Sequence, residues 1–141
     1  MIRAGLPSDM PAITHVRTSV RENHLSVEQM AARGIIADME AGHLGTWVAE
    51  AEGRIATFSM ADRRDGSIFA LFVLPEHEGR GFGTALLAAC ENWFRQQGLR
   101  EANLSTGRDT KAHAFYLHRG WLESYGGEKA DPRDIYFRKR L

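Results

Sequence analysis

A single cysteine, Cys90, stands in 141 residues, so no internal disulfide can form and the chain suits a reducing compartment. Neither sign of charge is in excess: 18 basic residues balance 18 acidic ones. No basic stripe or charge run is present to serve nucleic acid or an anionic membrane. No apolar run approaches the about 20 residues that span a bilayer, and no charged-then-apolar leader opens the chain. A cytoplasmic protein without export signal is the expectation. Repeats of roughly 20–50 residues and low-complexity tracts are also missing. Six histidines occur, but His113 and His118 are five apart on one short helix, while His15, His43 and His77 are scattered. No metal site is expected, and solvated surface histidine is the simplest account of each. The length fits one domain covering residues 1–141.

What the chain does have is one stretch around which the rest is arranged. Residues 71–87 read LFVLPEHEGRGFGTALL. A β-branched and aromatic run ends at a proline, a loop carries Gly79, Gly81 and Gly83 at alternate positions, and an amphipathic helix begins. Glycines there bare the backbone just where a helix exposes four unpaired N–H groups and a partial positive charge, which favours an anion such as phosphate. Two common fingerprints fail. A dinucleotide G-x-G-x-x-G begun at Gly81 needs glycine where Leu86 stands, and no G-K-[ST] follows as a P-loop requires. A plain glycine-rich turn between strand and helix stays open.

Around this stretch the periodicity predicts a mixed α+β fold, a mostly antiparallel central sheet flanked by helices. Residues 1–4 form an edge strand. Ser8 or Asp9 caps a helix with Pro11 in its first turn and Met10, Ile13, Val16 and Val20 as its apolar stripe. Residues 26–29 (SVEQ) are a capping box that opens a second helix with Val27, Met30, Ala31 and Ile35 inward. Gly34 divides that helix, and its second piece ends near Gly42. Strands at 46–50, 54–61 and 67–74, joined by hairpins, run as a meander into the glycine loop. The longest helix, from Gly83 to about Gln97, turns Leu86, Leu87, Cys90, Trp93 and Phe94 inward and Glu91, Asn92, Arg95 and Gln96 to water. A strand at 102–106 pairs parallel with 67–74. A short helix at 111–118 then buries Ala112, Phe115 and Tyr116. A hairpin of 121–125 and 134–140 closes the chain, with a polar, mobile loop at 126–133.

The loop fits V-x-P-x-x-[Q/R]-x-x-G-x-[G/A] through Val73, Pro75, Gly81 and Gly83. Residues 109–121 (DTKAHAFYLHRGW) fit N-x-x-A-x-x-[FL]-Y-x-x-x-G-[FW] through Ala112, Phe115, Tyr116, Gly120 and Trp121. On these two signatures, with a long helix and a strand between them, the chain resembles the GNAT superfamily of N-acetyltransferases. It departs from the pattern at Glu78, where the family has Gln or Arg, and at Asp109, where it has Asn.

The resemblance implies the acyl-CoA N-acyltransferase fold, acetyl-CoA as co-substrate and no metal. In such proteins the backbone of Glu78, Gly79, Arg80, Gly81, Phe82, Gly83 and Thr84 grips the pyrophosphate. A bulged strand at Leu71, Phe72 and Val73 receives pantetheine and the acetyl carbonyl, with Asp109 and Ala112 bordering it. Arg80, Arg108, Lys111 and Arg119 are placed to assist the phosphates. Tyr116 matches the general acid that protonates the departing thiolate, its phenol being protonated at neutral pH. The plainer reading of Tyr116 is a core aromatic. Glu22 and His24, where the first two helices meet, are candidates for the base, as is Glu50; a water chain is the alternative. Cys90, on a buried stripe, reads as packing.

The implied function is transfer of the acetyl group of acetyl-CoA to a primary amine by direct attack in a ternary complex. A coenzyme A-binding module without turnover is the alternative, and a plain interaction domain a third. The acceptor amine is not legible. No nucleic acid or membrane partner is expected, and a homodimer is left open.

Overall fold

The computed structural model describes residues 2–19, 34–108, 110–128 and 130–141. The capping box at 26–29, with Val20, Met30 and Ala31, lies outside the described residues. In chain order the elements are β1 (Ile2–Ala4), a 3₁₀ turn at Pro7–Asp9, α1 (Met10–Ser19), α2 (Ile35–Glu40), β2 (Leu44–Ala51), β3 (Arg54–Asp62) and β4 (Ser67–Val73). A second 3₁₀ turn, Pro75–His77, precedes α3 (Phe82–Gln96), β5 (Glu101–Gly107), α4 (Ala112–Leu117), β6 (Leu122–Ser124) and β7 (Asp134–Arg140). One sheet runs β1-β2-β3-β4-β5-β7-β6, antiparallel except where β4 meets β5. The expected α+β sheet, its meander and its single parallel pair are all present. No helix among the described residues is long and apolar enough to cross a membrane.

The period-2 alternation of the strands sends side chains to two cores, one on each side of the sheet. Ile13 and Val16 of α1 and Ile35 of α2 pack against Val48, Phe58, Met60 and Phe72. On the other side Leu87, Cys90 and Phe94 of α3 pack with Leu104, Tyr116, Trp121 and Phe137. Phe72 and its neighbour Leu71 therefore face opposite layers. Burying a ring such as Phe58 stabilises the fold by about 2–3 kcal/mol. The β2–β3 turn has positive φ at both central residues, Glu52 (57°) and Gly53 (78°), the twist that a two-residue hairpin demands.

One surface expectation fails. Glu91 is buried rather than turned to water. Lys139 Nζ reaches over from β7 to 2.6 Å from its Oε1, and Arg95 lies 3.8 Å away. A buried carboxylate is tolerated when a cation meets it, and helix periodicity carries no information about that partner. The loop at 126–133 is held at several points. The Arg108 backbone N–H donates to Arg133 O at 2.7 Å, its guanidinium to the carbonyls of Pro132 and Asp134, and the Asp131 N–H to Tyr136 Oη. Arg108 is thus a loop anchor.

Strand β4 is irregular in two places. Ala61 pairs with Ile68 and Met60 with Ala70, which leaves Phe69 as an extra, bulged residue. The parallel pairing with β5 has one register pair, Ser67 with Asn103. Beyond it β4 leaves its edge open.

Candidate active site

The open edge of β4 is the floor of a cavity of about 500 Å³. Thr57 Oγ1 donates to Phe72 O, and the Leu74 N–H donates to Ala56 O, so these two residues aim their backbone at β3. Alternation along the strand then turns the N–H and C=O of Leu71 and Val73 toward the open side. The bulge that the resemblance implies in the strand before Pro75 lies at Phe69, and the backbone turned to the open side is that of Leu71 and Val73.

The glycine loop and the start of α3 make the second wall. Gly81 is the residue before the helix and has φ +83°, a conformation that side chains with a Cβ adopt only under strain. Gly83 serves proximity instead: a Cβ there would lie 3.3 Å from the Phe115 ring. The Ala85 N–H already bonds to Gly81 O at 3.2 Å, while those of Phe82, Gly83 and Thr84 have no carbonyl one turn back to meet. An anion fits this end by the chemistry of its donors.

The third wall is α4 with the turn after it. Arg119 fixes this wall to the second. Its Nη2 and Nε donate to Thr84 Oγ1 at 2.7 and 3.1 Å, its Nη1 donates to Phe115 O at 2.9 Å, and Cζ lies 3.7 Å from the Phe115 ring centroid. Lys139 Nζ in turn donates to Arg119 O. Lys111 Nζ stands 3.3 Å from Glu78 Oε2 across the mouth. The acidic departure in the loop therefore has its own cation.

Tyr116 lies at the base of this wall, 6% exposed and edge-on to Phe115 and Trp121. Its hydroxyl has no hydrogen-bond partner among the described residues. Burial pushes the phenol well above its ordinary value, the neighbouring Cys90 adds to the rise and Arg119 opposes it. The proton stays on. Cys90 itself is fully buried, donates weakly to Ser59 Oγ at 3.4 Å and is pushed up to about 12 by burial. It is packing, as its place on the stripe suggests.

Of the residues expected at the site, Leu71, Phe72, Val73, Glu78, Gly79, Gly81, Phe82, Gly83, Thr84, Ala112 and Tyr116 line the cavity. Arg80 is exposed outside it. Glu22, His24 and Asp109 lie outside the described residues. Glu50 is on the surface of β2, 3.4 Å from Arg3 and away from the cavity. His77 overturns its reading as a solvated histidine. It is 2% exposed, lines the cavity and stands edge-on to Phe82 with ring centroids 6.5 Å apart. The 3₁₀ turn that follows Pro75 rolls it inward, and spacing alone gives no sign of that. Among the described residues no group of three His, Cys, Asp or Glu side chains is placed to hold a metal.

The sequence model of the acetyltransferase (GNAT) family matches residues 11–121. An aminoglycoside N(6')-acetyltransferase type 1 of Stenotrophomonas maltophilia is 38% identical over 77 residues, which are 54% of this chain and 46% of that protein. An aminoalkylphosphonate N-acetyltransferase of Salmonella typhimurium is 41% identical over 61 residues, 43% of this chain and 40% of that one. Each match spans less than half of the relative's length. The crystal structure of a PaiA N-acetyltransferase from Thermoplasma acidophilum in complex with coenzyme A superposes with a TM-score of 0.78 over 100% of this chain and 98% of that one, at 17% identity. A GNAT-family acetyltransferase from Staphylococcus aureus reaches 0.82 over 100% and 98%, at 16% identity. These structural likenesses establish the fold.

Proposed function

The chain belongs to the acetyltransferase (GNAT) family, and from that membership we propose that it transfers the acetyl group of acetyl-CoA to a primary amine by direct attack in a ternary complex. The observation that carries the reading is the cavity: helix N–H donors at one end, open strand backbone along the floor, a protonated tyrosine in the wall. The diphosphate of acetyl-CoA suits the backbone of residues 79–84, and the amides of its pantetheine arm suit the backbone of Leu71 and Val73. The thioester supplies an activated acyl group. Strand N–H groups fixed along the floor are set to stabilise charge that develops on the carbonyl oxygen.

Tyr116 keeps its proton on Oη until the thiolate departs, then donates it. An ordinary thiol has a pKa of about 8.5, below that of a phenol. The transfer therefore depends on the thiolate being desolvated in the same cavity, which raises its own affinity for a proton. Of the described residues that line the cavity, His77 and Glu78 are the only bases, and both belong to the glycine-loop end. The amine's proton therefore leaves through Glu22 or His24, outside the described residues, or through water. The names of the two relatives point to small-molecule amines as acceptors. A cytoplasmic protein of one domain over residues 1–141, with neither nucleic acid nor membrane as partner, completes the reading; sedimentation distinguishes a monomer from a homodimer.

The test is thiol release with a colorimetric disulfide reagent, across a panel of amines. Buried Cys90 is the chain's single thiol, so the protein contributes no background. Acetyl-CoA-dependent release that rises with amine supports transfer. Binding of coenzyme A without release leaves a coenzyme A-binding module, and no thermal shift at a hundredfold excess over any plausible Kd, where about 2.7 kcal/mol is expected, excludes both.

A further inference from the structure

Among the described residues Arg17 is a buried charge with no counter-charge. It lies on α1 at 7% exposure, its Nε is sealed from solvent without a hydrogen-bond partner, and no described carboxylate acts on it. His43, Thr46, Ser67, His77 and Trp121 also bury an unpartnered polar atom, but none of them carries the fixed charge of a guanidinium. A guanidinium cannot shed its proton, and a buried ion without a partner is retained in a fold only at considerable expense. The Phe72 ring, whose centroid lies 5.2 Å from Cζ, offsets part of that. It offers no acceptor.

The position gives this charge a use. Phe72 is a lining residue of the cavity and turns its ring to the α1 layer, whereas Leu71, Phe115 and Tyr116 belong to the α3–α4 layer. A coenzyme gripped at residues 79–84 fills the α3–α4 side. An amine that meets its thioester at the open edge of β4 then arrives from the α1 side, where Arg17 lies behind Phe72 without itself lining the cavity. We propose that Arg17 binds an anionic group of the acceptor, so that the substrate is a small amine carrying a carboxylate or a phosphonate. This rests on the acetyl-transfer reading above. The planar fork of a guanidinium takes two oxygens of such a group at once, and its charge repels a second ammonium.

The experiment compares acceptors of matched length: 3-aminopropionate, 2-aminoethylphosphonate, propylamine and 1,3-diaminopropane. At least one of the two acids is expected to exceed propylamine in kcat/KM by about 30-fold or more, and diaminopropane to be the poorest, since losing one partner of a buried charge pair is worth at least that factor. The two acids separate a carboxylate site from a phosphonate site. Arg17→Met should bring the preference to within about threefold while KM for acetyl-CoA stays put, and it should raise Tm, because an apolar isostere removes an uncompensated buried charge. An arginine that served packing alone would lower Tm when lost. Arg17→Gln repeats the comparison should the Met variant not fold. Calorimetric titration of both acids into coenzyme A-saturated protein reads the same site without turnover, so its result stands even if no amine is acetylated. A wild-type preference for propylamine or the diamine, or an acid preference that survives Arg17→Met, overturns the inference and leaves acetyl transfer intact.

Discussion

The two faces of β4 treat charge in opposite ways. On the α3–α4 face the cations around the cavity are engaged: Lys111 with Glu78, Arg119 with Thr84 and two contacts to Phe115 of its own wall, Lys139 with Glu91. What remains free there is backbone N–H. On the α1 face the backbone is covered by packing, and what remains free among the described residues is a side-chain charge, Arg17. On the reading proposed above, the coenzyme side reads its ligand by chain geometry and the acceptor side by a single residue. A buried charge left without a partner calls for an explanation, and a ligand supplies one.

The sharpest way to probe the coenzyme face is to remove the proton donor proposed for it. Tyr116→Phe keeps the ring that fills the space and deletes the hydroxyl. Because general acid catalysis contributes about 10²–10⁴-fold, kcat should fall by that much while the Kd for acetyl-CoA stays within a few-fold. A kcat within threefold of wild type, with chemistry rate-limiting, returns Tyr116 to the role of a core aromatic. Loss of binding together with kcat makes the hydroxyl a coenzyme contact instead.

Geometry is attacked next. Gly81→Val forces a β-branched residue into φ +83° at the head of α3 and places a side chain among the phosphate donors. Coenzyme A affinity should drop by roughly 100-fold, a combination of strain and crowding. Equilibrium dialysis on the folded variant checks this, and an unchanged Kd moves the site elsewhere.

Engaged cations should matter to the fold before they matter to the ligand. Lys139→Met strips the buried Glu91 of the nearer of its two cations, so urea unfolding should show a loss of about 2 kcal/mol, less than for a fully buried pair because Lys139 is partly exposed and Arg95 remains. A loss of coenzyme affinity with stability unchanged would break the contrast. The smallest effect belongs to Glu78→Gln. It frees Lys111 and removes a negative charge from the phosphate end, so coenzyme A should bind equally well or up to about threefold better, an exposed ion pair being worth little. Clearly weaker binding would give Glu78 a positive role.

The difference between the faces also sets what the sequence discloses. Glycines at alternate positions, a proline and a tyrosine at fixed spacing report backbone geometry, and the coenzyme wall is made of that. The sheet follows from period-2 runs and short turns for the same reason. The burial of Glu91 depends on a partner distant in sequence, Lys139, and that of His77 on a 3₁₀ turn that spacing does not encode. Arg17 leaves one trace: it stands four residues after Ile13, on the flank of the stripe that buries Val16. A cation on an apolar stripe is a sign worth reading. What it lacks in partners is visible only once β4 is seen beneath it.

Backbone recognition at the head of α3 is tested most directly by following amide resonances of the uniformly labelled protein as coenzyme A is added. The largest shifts should fall on Phe82, Gly83 and Thr84, followed by Leu71 and Val73 along the open edge of β4, with β1 and β6 unmoved. Shifts that cluster on those outer strands, with residues 81–84 silent, would contradict it.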